Sequence, residues 1–308
     1  DIPMRAEQFM ARAGHYFVNW NDLYDNWLVK IRDLVREMEA LEFDTLPDVE
    51  PMEVVTSGAG KGAGGESQAN YLKLLTCAST LWHYHFEFLN LGYAAYLDFF
   101  GFCKRAWPNI PDLAIARMVA GVDVDLFRPD DELKALARLA VSLGVDDQFT
   151  GASAETVSGL LQNTPEGREW LAAYDRAAEP WFQFSTGSGF DHSDPVWIDQ
   201  PDVPYGFIHD YIARFRRGED LKRPTAAILA ERERIVGEYR ELLPDAPSRA
   251  GFDARLALAR TVFPYVENHN FYVEHWSHSV LWRKMRQLGG VLAKEGFFGA
   301  ETDIFLLK

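Results

Sequence analysis

Cysteine, strand patterning and positive charge are all scarce in this chain. Two cysteines in 308 residues cannot build a Cys-rich zinc module or a disulfide framework. Cys77 and Cys103 sit in the apolar stretches LLTCAST and FFGFCKR, where a buried thiol in a reducing compartment is the ordinary reading. Only 31 Lys and Arg stand against 46 Asp and Glu, a formal charge of −15. That balance opposes polyphosphate backbones and anionic membrane surfaces, which both require a concentrated cationic patch. No nucleic-acid partner and no membrane partner is therefore expected. No apolar run approaches the roughly 18 to 20 residues that span a bilayer. The opening DIPMRAEQFM has neither the basic nor the apolar region of a signal peptide, so a cytoplasmic location is expected. The missing initiator Met and the ending DIFLLK suggest a piece of a longer protein.

What the chain does have is apolar and aromatic material: 47% hydrophobic and 14% aromatic residues. A chain of this length buries roughly three-quarters of its unfolded surface, which excludes disorder. Periodicity of three and four predicts an all-α fold, an irregular multi-helix bundle with long central aromatic-rich helices and minimal strand. Phe17, Trp20, Leu23, Trp27, Ile31, Leu34 and Met38 mark one helix over about 15–43. A second, apolar nearly all round and hence central, runs over about 66–105. Shorter helices are expected near 111–120, 131–143, 153–162, 166–177, 207–217, 223–243 and 252–261. A last one, at 264–289, is opened by Pro264 and closed by Gly289 and Gly290. Short strand candidates lie at 52–56 and 303–307. The Gly-rich stretch 57–65 reads as a mobile loop, and 180–206 breaks all periodicity. Length alone suggests two domains, but the pattern favours a single helical domain over 1–308.

Gly60, Gly62 and Gly65 satisfy G-x-G-x-x-G, yet no βαβ unit surrounds them, and Lys61 is followed by Gly62 where a Walker A loop needs Ser or Thr. What survives is one cation at a helix N-terminus, able to meet a phosphate. In LWHYHFEF, His83 and Glu87 are four apart and share a helix face, the arrangement of an imidazole oriented by a carboxylate. His85 falls on another face and reads as a core histidine. The densest polar cluster is ENHNFYVEHWSHSVLWRKMR. Helical spacing sorts it into Glu267, Asn270, Glu274 and His278 on one side and His269, Tyr272, Trp276 and Arg283 on another. It lacks Glu-x-x-His and HExxH, so it reads as a polar, aromatic-walled small-molecule pocket in preference to a metal site. No metal ligand is assigned.

Two stretches, PNIPDLAIARMVAGVDVDLFRPDDELKALARLAVSLG and ENHNFYVEHWSHSVLWRKMRQLGGVLAKEGFFGAETDIFLLK, resemble the helical domain of the PEP-utilising dikinase superfamily. The resemblance is to members that phosphorylate aromatic hydroxyls, such as phenylphosphate synthase and the hydroxyphenylethanone dikinases, and more distantly to rifampicin phosphotransferase. It implies that an ATP-grasp unit, using ATP and Mg2+, loads a histidine on a swivelling domain, and that this histidine delivers phosphoryl to a phenolic hydroxyl held by the helical domain. No phosphohistidine segment and no ATP-grasp signature occurs here. Those units would be separate domains or partner subunits, and this chain would bind no cofactor itself.

On local chemistry, His83 with Glu87, or His269, is the expected general base for a phenol whose pKa lies near 10. Tyr272, Glu274 and His278 are expected to hydrogen-bond the acceptor. Trp82, Phe86, Tyr93, Phe271 and Trp276 would wall the ring, and Lys61, Arg283 and Arg286 would meet phosphate. Two alternatives stay open: a scaffold that only docks the phosphohistidine domain, and a helical metalloprotein.

Overall fold

Amphipathic segments separated by capping residues should give helices joined by short turns. The computed structural model, which describes residues 2–43, 65–120 and 123–307, is built that way. In chain order the helices are α1 (Ile2–Val18), α2 (Trp20–Glu39), α3 (Gly65–Ala106), α4 (Asp112–Val119), α5 (Arg128–Leu143), α6 (Ala154–Leu161), α7 (Pro165–Trp181), α8 (Asp202–Arg216), α9 (Thr225–Glu241), α10 (Ala246–His269) and α11 (His278–Lys294). A π-helical segment, Asn270–Ser277, joins the last two. The fold is mainly α, as expected. Among the described residues the one β feature is an isolated antiparallel bridge between Ser185 and Val196.

Caps explain several boundaries. Thr164 accepts the Gly167 N–H at 3.0 Å and Pro165 follows in the first turn of α7. Asp245 accepts the Ser248 N–H at 2.7 Å to open α10. Each such cap is worth about 1 kcal/mol. Gly144 closes α5 at φ 68°, a left-handed position natural to glycine.

Three apolar cores organise the helices. The first gathers Trp27, Ile31 and Met38 of α2, Leu74, Leu81 and Phe88 of α3, Val262 and Tyr265 of α10, Phe271 of the π segment and Val280 of α11. The second packs α5 to α8 around Trp170, Leu133 and Ile208. The third joins the far end of α3 (Phe99, Cys103) to α4, α9 and the start of α10. Each fully buried large side chain contributes about 1.5–3 kcal/mol. α3, about 63 Å long at 1.5 Å per residue, serves the first and third cores. It approaches α10 closely at Gly92, where a Cβ would lie 2.7 Å from Val266 Cγ2. Its other face is not buried: Leu75, Trp82, Phe86, Tyr93 and Leu97 are exposed at spacings of seven and four, so α3 is central on one side only.

Several boundary expectations need correction. The helix expected over 15–43 is two helices, α1 and α2, parted at Asn19, whose φ −109° and ψ 22° leave helical geometry. Pro264 does not open a helix; it lies inside α10, where the roughly 3 kcal/mol cost of an interior proline is offset by burial of Val262, Tyr265 and Val266. Gly289 does not end a helix either. It lets the Glu301 carbonyl approach α11, which runs on to Lys294. The strand expected at 303–307 is a 3-10 turn, Glu301–Leu306, and the candidate at 52–56 lies outside the described residues. Cys77 and Cys103 are buried free thiols, which burial pushes up to about 11 and about 12. Among the described residues no helix is long and apolar enough to cross a membrane.

Candidate functional site

The polar stretch that follows α10 does not keep α-helical spacing. Over Asn270–Ser277 the backbone widens to i→i+5 bonding, a geometry uncommon in proteins and concentrated at functional sites. Residues five apart therefore face one another. Ser277 Oγ donates to the Tyr272 carbonyl at 2.6 Å, and His278 Nδ1 lies 2.6 Å from the Val273 carbonyl. The carboxylate of Glu274 reaches to 3.8 Å from Nδ1 of His269. On a regular α-helix a residue five positions on is turned by about 140°, which would separate the last pair. The two-stripe sorting by α-helical spacing is corrected accordingly.

His269 is fully buried between two rings. Trp27 of α2 stacks on it at 6.2 Å, and His85 of α3 lies 4.6 Å away, centroid to centroid. Neither ring nitrogen of His269 has a hydrogen-bond partner, and Nδ1 of His85 has none. Burial pushes His269 down to about 3, with the neighbouring His85 imidazole adding to the shift. The His85 backbone and the Asn270 side chain approach the ring and pull the other way, but neither is in hydrogen-bonding geometry. Burial also lowers His85. Both are neutral imidazoles with free lone pairs at neutral pH. Desolvation raises the carboxyl of Glu274. His85, His269 and Glu274 each place one ligand-type atom within 4.8 Å of the others.

Around this cluster stand two more histidines with assigned tautomers. A carbonyl can only accept, so the contact with Val273 puts the proton of His278 on Nδ1 and leaves Nε2 as its lone pair. Burial lowers His278 and the Val273 bond pulls the other way. His275 Nδ1 accepts the Ser185 N–H at 3.2 Å, its ring stacks on Phe184 at 4.1 Å, and burial pushes it down to about 4.

The segment 182–201 closes the site. Backbone bonds Trp197 N–H to Phe184 O and Ile198 N–H to Phe182 O, both 2.9 Å, pin its base. Asp194 accepts from Gly189 N–H and Ser188 Oγ. Gly189 has φ 79° and no room for a Cβ, which would land on the Glu274 carbonyl. Its neighbour Phe190 is thereby set against His278 at 4.6 Å, His85 at 5.7 Å and Trp82 at 6.0 Å.

Of the residues singled out from sequence, the structure brings together His269, Glu274, His278, Trp82 and Phe86; the last two stack at 5.8 Å over His85. It does not bring in His83, which is exposed on the opposite side of α3. The carboxylate of Glu87 is held by Lys30 at 3.0 Å instead of by His83, so that oriented pair is corrected. Tyr272 spends its hydroxyl on Asp125 at 2.9 Å. Phe271 is core, packed on Trp181 at 4.9 Å, and Trp276 is buried beside it. Tyr93 stands exposed two turns beyond Phe86. Lys61 lies outside the described residues. Arg283 and Arg286 line a separate cleft of about 600 Å3 with Asp199, Gln200 and Gln287. There Arg286 pairs with Asp199 at 3.1 Å and Arg283 donates to Gln183 at 3.1 Å. His278, Trp282 and Arg286, four apart, share the face of α11 that links cleft and cluster.

His85 is the residue that sequence reasoning misplaced. The signal for His85 was available: it interrupts the buried stripe Leu74, Leu81 and Phe88 at helical spacing. A polar side chain on such a stripe needs a partner, and this one has none for Nδ1.

No family model matches the chain, and no solved structure matches it. It is 21% identical over 159 residues to the "Uncharacterized phosphotransferase YvkC" of Bacillus subtilis (strain 168). The match takes in 52% of this chain but 19% of that protein, so the chain spans about a fifth of the curated relative's length. The likeness hints at a generic phosphotransferase relationship.

Proposed function

We propose that this chain is the acceptor-binding part of a dikinase-type phosphotransferase acting on a phenolic hydroxyl. The observation that carries the reading is the set of neutral, lone-pair-bearing imidazoles buried beside an aromatic shelf, Trp82 and Phe86. The distant phosphotransferase match supports the reaction class. Phe190 occupies the slot a planar ring would take between His85 and His278, so the acceptor enters by displacing it, with left-handed Gly189 as the adjoining hinge.

The base role moves from His83 and His269 to His278. His83 is outside the cluster, and an imidazole pushed down to about 3 is a poor proton acceptor at neutral pH. His278 is oriented through Nδ1 by a carbonyl and offers Nε2. As the phenolic oxygen attacks the phosphorus of an incoming phosphohistidine, its proton passes to Nε2, the P–N bond breaks and the carrier imidazole leaves. Arg286 and Arg283 supply positive charge from the adjoining cleft. The phosphohistidine domain, the ATP-grasp unit and their ATP and Mg2+ belong to other domains or subunits.

Calorimetry with phenol and 4-hydroxyacetophenone tests binding. We expect measurable heat, tighter binding in Phe190→Ala, where the plug is gone, and weaker binding in Trp82→Ala. Absence of heat with both ligands in wild type and Phe190→Ala would leave the scaffold alternative standing, for which the exposed face of α3 is the docking surface.

A further inference from the structure

The geometry points to a second property of the same cluster: a mononuclear Zn2+ site formed by His85, His269 and Glu274. Three facts converge. The donor set, two imidazoles and one carboxylate, is the one zinc takes in sites that keep an open position. The three ligand-type atoms already lie within 4.8 Å of one another. The ring nitrogens of His269 and Nδ1 of His85 are buried without any hydrogen-bond partner, although burying an unpaired polar atom costs about 1–3 kcal/mol. A cation bound through one nitrogen of each ring removes part of that cost and gives the cluster a role inside a core otherwise made of Trp27, Tyr265 and Phe271.

Ligand atoms on a tetrahedral zinc at about 2.0–2.1 Å are about 3.3 Å apart. Nδ1 of His269 and the carboxylate of Glu274 stand at 3.8 Å, so they need to close by about half an ångström. Glu274 can supply that movement, because its side chain is 25% exposed whereas His269 is fixed between Trp27 and His85. The π segment is the local cause of the arrangement, since only i→i+5 geometry sets Glu274 over His269. The partly exposed carboxylate also gives an ion its entry path. The ion's open position would face the slot filled by Phe190. The fate of that position rests on the phenol reading, but binding of the ion does not.

The test uses the full chain, stripped with chelator, and Zn2+ alone, with no phenol or ATP. Isothermal titration should give one ion per chain. Co2+ substitution should give the intense visible bands of a four- or five-coordinate ion. Glu274→Gln, a near-isosteric change at a partly exposed position, should weaken binding by more than the roughly 10–100-fold typical of an outer-shell change. His85→Asn should do the same, and His83→Ala, two residues away and exposed, should leave affinity unaltered. Circular dichroism on each variant separates lost binding from lost folding. Failure to bind Zn2+ at millimolar concentration overturns the proposal. So does binding that Glu274→Gln leaves intact, or a preference for Mn2+ over Zn2+. Phenol calorimetry on the stripped chain reads the acceptor proposal separately, so either can fail alone.

Discussion

The helical unit α5 to α8 and the cluster around the π segment both bury polar atoms, yet they treat them in opposite ways. In the first, Trp170 donates its indole N–H to the Leu136 carbonyl at 2.9 Å. Tyr205 shares a hydrogen bond with Ser158 at 2.8 Å, and Asp202 accepts the Ala154 N–H at 2.6 Å; the indole N–H of Trp197, at its edge, is the exception. In the second, three imidazole nitrogens are left without partners. Paired buried groups hold a fold together, whereas unpaired ones cost stability and persist where something else binds them. The difference supports the proposal that function lies at the π segment and scaffold at α5 to α8.

The comparison can be broken most sharply with pH. Unfolded histidine takes up a proton near 6.5, whereas His269 resists until about 3 and His275 until about 4. As pH falls below 6.5 the unfolded chain gains protons first, so stability present at pH 7 is lost progressively down to about 3. At about 1.36 kcal/mol per unit, His269 alone accounts for something on the order of 4–5 kcal/mol. Glu267 and Glu274, raised by burial, act in the opposite sense and offset part of it. Urea titrations of the metal-free chain from pH 8 to 4.5 should show this slope, and His269→Leu should make it shallower, leaving the part due to His275. An unchanged slope in that variant would remove His269 as its source.

Next in size is the mutation pair that contrasts the two regions directly. Trp170→Ala opens a cavity and removes the indole bond to the Leu136 carbonyl, for an expected loss of about 3–5 kcal/mol. His269→Leu replaces an unpaired imidazole with an apolar side chain and should cost less than about 1 kcal/mol at pH 7, or stabilise. Equal losses in chemical denaturation would erase the distinction.

Gly189→Ala comes third. It forces a side chain into left-handed backbone and onto the Glu274 carbonyl, for about 1–3 kcal/mol. The strain is local, so it should appear as release of segment 182–201 before global unfolding. Limited proteolysis should therefore nick that segment in the variant and spare it in the wild type.

How much of this was legible in sequence follows from the same contrast. Helices and their amphipathic faces are local properties, and the all-α reading recovered them. The site was legible in composition but not in geometry. His269, Glu274 and His278 were singled out, yet α-helical spacing put His269 and Glu274 on different stripes, because a π segment is stabilised by tertiary packing that no window of sequence displays. Read at a spacing of five, His269 with Glu274 and Tyr272 with Ser277 would have given the pairs. His85 was set aside because a core histidine is the commoner case; what distinguishes it is the lack of a partner for Nδ1, which only the three-dimensional neighbourhood reveals.

The smallest expected effect is the most discriminating between neighbours in sequence. His83 and His85 are two residues apart on α3, and the helix turns them to opposite sides, one to solvent and one onto His269. His83→Ala removes an exposed ring that holds no carboxylate, Glu87 being paired with Lys30. It should change stability by no more than about 0.5 kcal/mol and leave phenol binding as it was. His85→Ala removes the ring that packs on Phe86 at 4.5 Å and on His269, so it should weaken phenol binding even where the fold survives. Calorimetry on the two variants side by side decides the matter. If His83→Ala abolishes binding and His85→Ala does not, the acceptor sits on the exposed face of α3, and the unpaired imidazoles of the π segment have to be explained by the metal alone.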